Sequence, residues 1–182
     1  DEITTKASES IYFEIDNYIV TAGRIIPEKG FDLLIDSFNL LIDKSLKLVI
    51  LGMGTNKEKQ KLVNQIETLG LQNRVILYGF AKNVYPIFKK ANLCVVSSRI
   101  EGFPNVLLQM MSQNNAIVST LCAGEIANIK GIFTCENNDV ASLKDAMEKG
   151  LNNNKNNQLI FKDYLKSRSI DKFVNSILKK IN

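Results

Sequence analysis

The 182-residue chain contains no histidine. That absence excludes Ser-His-Asp triads, HExxH zinc sites and imidazole general bases within these residues. The three cysteines, Cys94, Cys122 and Cys135, are odd in number and lack metal-ligand spacing. They argue against a disulfide scaffold and fit a reducing cytoplasm. Cys94 lies within "NLCVVSS", a buried-strand pattern in which a thiol serves as a small apolar side chain. No run of about 18 apolar residues occurs, so no membrane-spanning helix is expected. No basic-then-apolar leader is visible. Nucleic-acid recognition motifs are missing, and the aromatics are not interleaved with the basic residues. No internal repeat appears.

What is present is ordinary for a globular protein: 45% hydrophobic and 23% charged residues. The length suits one domain, or one and a small appendage, with enough chain for a full core. Because the chain begins at Asp1 rather than Met, it is expected to be part of something longer. Net charge is +4, and the last thirty residues are rich in Lys and Asn. Lys162, Lys166, Arg168, Lys172, Lys179 and Lys180 read as a solvated helix surface, with a basic face for anionic lipid or phosphate as the alternative.

Short apolar runs alternate with amphipathic stretches. The runs "NYIVTAG", "LKLVILG", "RVILYGF", "NLCVVSS", "AIVST" and "GIFTC" predict six strands. Between or after them, "FDLLIDSFNLLID", "KEKQKLVNQIETLG", "VYPIFKKA", "PNVLLQMMSQ" and "DVASLKDAMEKGL" predict helices, the second closed by Gly70 and the last capped by Asp139. After an Asn-rich spacer, "QLIFKDYLKS" and "IDKFVNSILKKIN" predict two terminal helices. Strands that are apolar throughout and alternate with helices predict an α/β fold, a doubly wound parallel sheet covered on both faces. Such sheets bind ligands beyond the carboxyl ends of their strands.

Three strand-end segments carry candidate chemistry. "TAGRIIPEKGFDLL" places Gly23 at a strand end, then Arg24, then Lys29 and Gly30 opening a helix. Glycine admits close backbone approach, and Arg24 and Lys29 would bracket an anion, one as a fork and one as a point charge. Surface residues on a loop are the competing reading. "LGMGTNKEK" offers Gly52 and Gly54, but Lys57 stands where a dinucleotide fingerprint needs its third glycine. NAD is therefore not expected. "SSRIEGFPNVLLQMM" is the most specific segment. Pro104 suits the first helical turn, and the amides near Asn105 and Val106 can hold phosphate oxygens. Glu101 can accept from sugar hydroxyls, and Gln109 lies about one turn past Asn105, within reach of a ribose.

In this order and spacing, the segments resemble the carboxy-terminal domain of family-4 retaining glycosyltransferases of the GT-B fold. The resemblance covers about residues 18–151, with 1–17 as an interdomain-linker remnant and 152–182 as a spacer and helices packing back. It implies the donor-binding half of a two-domain enzyme whose amino-terminal domain binds most of the acceptor, so these residues alone would turn over no acceptor. Arg24 and Lys29 would neutralise the diphosphate of a nucleotide sugar, UDP by family habit, with no metal or other cofactor. Glu101 would bind the transferred sugar. Gly23, Gly52, Gly54, Gly79, Phe80, Ser98, Gly102, Phe103, Pro104, Asn105, Val106 and Gln109 would line the donor, with Gly79 and Phe80 by the base.

Three positions depart from the family pattern, Gln109, Asn114 and Ala116, the last standing where a proline is preferred. Gln109 stands where a second glutamate normally grips both ribose hydroxyls. Asn114 stands where a glycine is preferred, and is expected to keep that turn because Asn tolerates left-handed backbone. The resemblance implies transfer of GalNAc, GlcNAc, Gal or Glc to a lipid-linked saccharide in O-antigen or capsule synthesis, in the cytoplasm or peripherally on the inner face of the plasma membrane. The alternatives are a non-catalytic nucleotide-binding or scaffold module and half of a sugar-nucleotide epimerase.

Overall fold

The computed structural model describes Lys6 and residues 13–168 other than 154. Among the described residues six strands form one sheet: β1 (Tyr18–Ala22), β2 (Lys47–Leu51), β3 (Val75–Gly79), β4 (Leu93–Val96), β5 (Ile117–Thr120) and β6 (Phe133–Cys135). They are parallel throughout, in the order β3-β2-β1-β4-β5-β6. Among the described residues these helices accompany them: α1 (Phe31–Asn39), α2 (Asn56–Thr68), α3 (Tyr85–Lys90), α4 (Asn105–Met111), α5 (Val140–Leu151) and α6 (Gln158–Ser167). The predicted helix "IDKFVNSILKKIN" and the opening "DEITTKASES", apart from Lys6, lie outside the described residues.

Alternate strand residues feed two separate cores, as a period of two requires. Ile19, Leu48, Ile50, Val95 and Val118 pack against α1, α2 and α5 through Leu34, Phe38, Leu62, Ile66 and Met147. Tyr18, Val20, Val49, Cys94, Val96 and Ile117 pack against α3, α4 and α6 through Phe88, Leu107, Met110 and Phe161. Each such fully buried side chain contributes about 1.5–3 kcal/mol. Phe13 is also buried, its ring 5.2 Å from that of Tyr18, so packing reaches upstream of residue 18.

The helix ends follow the sequence closely. Asp139 caps α5 by accepting from the Ser142 amide at 2.8 Å, and Gly70 follows α2 with φ 66°. Pro86 sits in the first turn of α3, where its missing N–H leaves no bond unmade. Pro104, expected within the first turn of α4, instead precedes the helix in extended conformation. The Asn114 expectation is overturned more fully. Among the described non-glycine residues only Asn17 and Asn138 have positive φ. Asn114 is buried, and its side-chain amide donates to the carbonyls of Phe88 and Ala91 at 2.7 Å while accepting from the Ala116 amide at 2.9 Å. It is a bracket between the end of α3 and the start of β5.

The strand order sets where a ligand can sit. From β1 the chain moves outward through β2 and β3, then returns to the other side of β1 with β4. The loops leaving β1 and β4 therefore diverge, and a crevice opens between them at the carboxyl edge.

Candidate functional site

Both sides of that crevice carry residues singled out from the sequence. Lys29 ends a single 3-10 turn, Pro27–Lys29, after β1, and Gly30 follows in left-handed conformation with φ 61°. A side chain on Gly30 would collide with the Ser97 carbonyl. Glycine is thus required twice there, by conformation and by contact. The turn folds Lys29 back over the end of β1, so that a methyl placed on Gly23 would lie 3.4 Å from the lysine stem.

From the opposite side, the loop after β4 brings Glu101. Its Oε1 receives the Lys29 ammonium as an ion pair and the Ser98 hydroxyl at 2.9 Å. Among the described residues, Glu101 Oε2 has no hydrogen-bond partner. The Lys29 and Glu101 side chains are each about one-fifth exposed, at 20% and 18%, so the pair is sheltered yet reachable from solvent. The Glu101 amide donates to the Cys122 carbonyl at 2.9 Å, and Thr120 Oγ1 donates to the Ser98 carbonyl at 2.6 Å. Those bonds hold the motif loop to the end of β5.

Next to the pair lies a cleft of about 310 Å³, bordered by Gly23, Arg24, Gly52, Met53, Phe80 and Val84. It spans the ends of β1, β2 and β3. Arg24 is exposed at its edge and forms no ion pair with the described residues. Phe80 is 73% exposed, an aromatic face with no packing reason to be there. Gly52 has φ 146° and lies so close to the Gly23 carbonyl that a Cβ would overlap it. Gly54 is filled by Ile25 in the same way, so it shapes the loops and does not border the cleft. Gly79 follows with φ 86° and accepts from the Gly52 amide at 2.7 Å. A hollow of about 420 Å³ opens at the opposite, amino-terminal edge around Asn17, Asp43, Asn92 and Glu148, where a parallel sheet presents no convergent strand-end loops.

The remaining candidates cluster at α4. No side-chain cap closes its start, which leaves the first amides, near Asn105 and Val106, without a partner inside the helix. Gly102 and Asn105 are exposed, Pro104 is buried, and Phe103 and Val106 are half-buried. The half-buried Gln109 makes no side-chain hydrogen bond among the described residues. Phe103 is covered by the Arg168 guanidinium, 4.0 Å from its ring centroid, while Arg168 also pairs with Glu125 at 2.6 Å. Arg168 is exposed, as expected of a solvated face, like Lys162 and Lys166, and it also ties the end of α6 to the motif loop.

The three cysteines are buried and free. Burial raises each thiol pKa, and for Cys135, with Asp139 and Glu136 nearby, it is pushed up to about 12. No nucleophilic role follows. Among the described residues no three His, Cys, Asp or Glu side chains stand together in a way that could hold a metal ion.

Sequence reading missed the residues that hold this site in place. Ser97 donates to the Lys29 carbonyl at 2.9 Å. Arg99 forks onto Asp32 at 2.8 and 2.7 Å and also reaches the Pro27 carbonyl at 2.6 Å. Asn137 ties the Arg99 and Leu121 carbonyls together at 3.1 and 3.2 Å. The available signal was Arg99 itself, a cation two residues before the motif acid.

A doubly wound parallel sheet with its candidate site at the switch point is the architecture of one half of a GT-B glycosyltransferase. Residues 16–153 match the family described as "Glycosyl transferases group 1", and the chain belongs to that family. An uncharacterized glycosyltransferase of Methanocaldococcus jannaschii is 40% identical over 111 residues, covering 59% of this chain and 27% of the relative. An N-acetylgalactosamine-N,N'-diacetylbacillosaminyl-diphospho-undecaprenol 4-alpha-N-acetylgalactosaminyltransferase of Campylobacter jejuni is 37% identical over 120 residues, covering 66% of this chain and 32% of the relative. Among solved structures, Anabaena HepE in complex with UDP and glucose superposes with a TM-score of 0.80 at 19% identity, over 91% of this chain and 48% of that one. The chain thus spans about a third of these curated relatives or less, and about half of the solved neighbour.

Proposed function

We propose that the chain is the donor-binding half of a retaining glycosyltransferase that takes a UDP-sugar. The acceptor in this reading is a lipid-linked saccharide of bacterial surface polysaccharide synthesis, and the sugar is GalNAc, GlcNAc, Gal or Glc. The observation that carries it is the meeting of Lys29, Ser98 and Glu101 across the crevice between β1 and β4, beside the Arg24 cleft. Support for the nucleotide comes from the UDP bound in the Anabaena neighbour. Support for the acceptor comes from the undecaprenol diphosphate in the Campylobacter relative's name.

In this mechanism the donor's diphosphate takes the Lys29 ammonium from Glu101, while Arg24 meets it from the cleft side. Both cations, with the amides at the start of α4, stabilise the charge that develops as the bond from the anomeric carbon to phosphate breaks. Glu101, released from Lys29, accepts from hydroxyls of the transferred sugar and fixes its orientation. The acceptor oxygen bonds the same carbon on the face that the phosphate leaves, and its proton passes to the departing diphosphate. Phe80 lies beside the base, and Gln109 bonds the ribose with one acceptor and one donor.

Calorimetry with UDP, GDP and their sugars tests the reading. One nucleotide should bind tightly, and Arg24→Ala and Lys29→Ala should each weaken it by about 1.5–3 kcal/mol, the range for hydrogen bonds to charged groups. Gln109→Glu should tighten it. Binding of no nucleotide would favour the scaffold alternative.

A further inference from the structure

Arg99 touches nothing in the crevice, yet it holds the segment that presents Lys29. Its guanidinium spends three hydrogen bonds on that segment, one to the Pro27 carbonyl and two to the Asp32 carboxylate. Its amide donates to the Glu28 carbonyl at 2.7 Å. The residue two before it, Ser97, donates to the Lys29 carbonyl. One short stretch of the loop after β4 therefore grips residues 27, 28 and 29 of the loop after β1 and Asp32 in the first turn of α1. The grip is itself braced, because Asn137 holds the Arg99 carbonyl from the end of β6.

Geometry explains why the residue is an arginine. The planar fork satisfies both oxygens of Asp32 and still reaches a backbone carbonyl, which a lysine ammonium on a flexible stem cannot do in one fixed orientation. Loss of the fork would leave the Pro27–Lys29 turn, whose helix-like part is only three residues long and has no side-chain cap, held to the loop after β4 only through the Arg99 amide and the Ser97 hydroxyl. The Lys29 ammonium and Glu101 carboxylate are then no longer held at one registry.

We infer that Arg99 is a positioning residue for donor binding: with Asp32 as its counter-ion, it clamps the loop after β1 so that Lys29 stands at Glu101 and faces the diphosphate. The inference rests on the proposed role of Lys29. It adds that the affinity for a nucleoside diphosphate is set in part by a residue outside its reach.

Two measurements on the full chain test it. In the first, acylation of the Lys29 amine by an N-hydroxysuccinimide acetate is followed by peptide mass spectrometry. Arg99→Lys and Asp32→Asn should each raise the Lys29 rate about fivefold while other lysines react as before. An unchanged Lys29 rate in both variants overturns the inference, whatever the nucleotide does. In the second, UDP is titrated into wild type, Arg99→Lys, Lys29→Ala and the double variant. Arg99→Lys should weaken UDP about tenfold in the wild-type background and by less than twofold in Lys29→Ala, because the clamp acts through Lys29. An equal loss in both backgrounds would show a merely structural role and overturn it. If wild type binds no UDP, the donor reading fails, and the labelling rates alone decide whether Arg99 positions Lys29.

Discussion

Lys29 and Glu101, 72 positions apart in the chain, share an ion pair where the loops after β1 and β4 meet. Two residues expected to serve different parts of one ligand thus begin as each other's partner. The pairing keeps a cation and a carboxylate in a sheltered crevice at no net charge, which limits the cost of partly desolvating either. It also makes the two binding roles interdependent. Glu101→Gln is expected to bind UDP as well as wild type or better, because Lys29 is released, while the intact enzyme's kcat falls at least tenfold. A titration and a turnover assay on the same variant would separate these effects. Loss of both UDP affinity and folding would contradict the expectation.

Asp32 gives a pH dependence. Its half-buried position favours the neutral acid, but the hydrogen bonds and charge of Arg99 outweigh this and hold the carboxyl below the usual aspartate range. A folded-state value below the unfolded one means that the contribution is present above the ordinary aspartate pKa and lost as pH falls through the folded value. NMR titration of the Asp32 carboxyl carbon should show the depressed midpoint. Arg99→Met should move that midpoint upward.

The cysteines predict the opposite sign at high pH. Their folded-state pKa values are raised by burial, so the contribution is complete below the ordinary thiol range and is lost as pH climbs beyond it. The folded chain should react with Ellman's reagent at neutral pH only at the rate of its opening. Urea midpoints should fall from pH 9 upward, and Cys135→Ala should flatten part of that fall.

Asn114 tests the distinction between a turn residue and a bracket. If its position needed left-handed backbone, Asn114→Gly would be neutral or stabilising. Three buried side-chain hydrogen bonds predict instead a loss of about 2–4 kcal/mol, most of it from stranded partners. A lower urea midpoint with unchanged slope is the expected result.

Gly52→Ala should be as damaging, since φ 146° is unfavourable for alanine and the added carbon would overlap the Gly23 carbonyl. A loss of at least about 2 kcal/mol is expected. The cleft should be disturbed with it, so UDP affinity should fall even in conditions where the variant remains folded.

The layers were legible because their physics is local. Apolar strands, capped helices and strand-end glycines each follow from a few neighbouring residues, and all six strands formed where the pattern placed them. The helix from Phe31 ended earlier, at Asn39, with Leu40 and Ile42 left exposed. Leu41 is buried all the same, so the apolar run continued past the last turn to serve tertiary packing. The site was readable as a set of residues in order. Its wiring was not, because the partners of Arg99 and Asn114 are mostly backbone carbonyls, and a carbonyl has no letter in the sequence. The Asp32 partner of Arg99 was equally unreadable, as an acid in a first helical turn already has a sufficient reason to be there.

Phe80 stands almost bare at the mouth of the cleft, and the chain has no tryptophan anywhere. An indole introduced at that spot would be the molecule's sole red-shifted emitter, set on a dark background. Its glow would track occupancy of the crevice in real time, without a labelled sugar or a coupled assay.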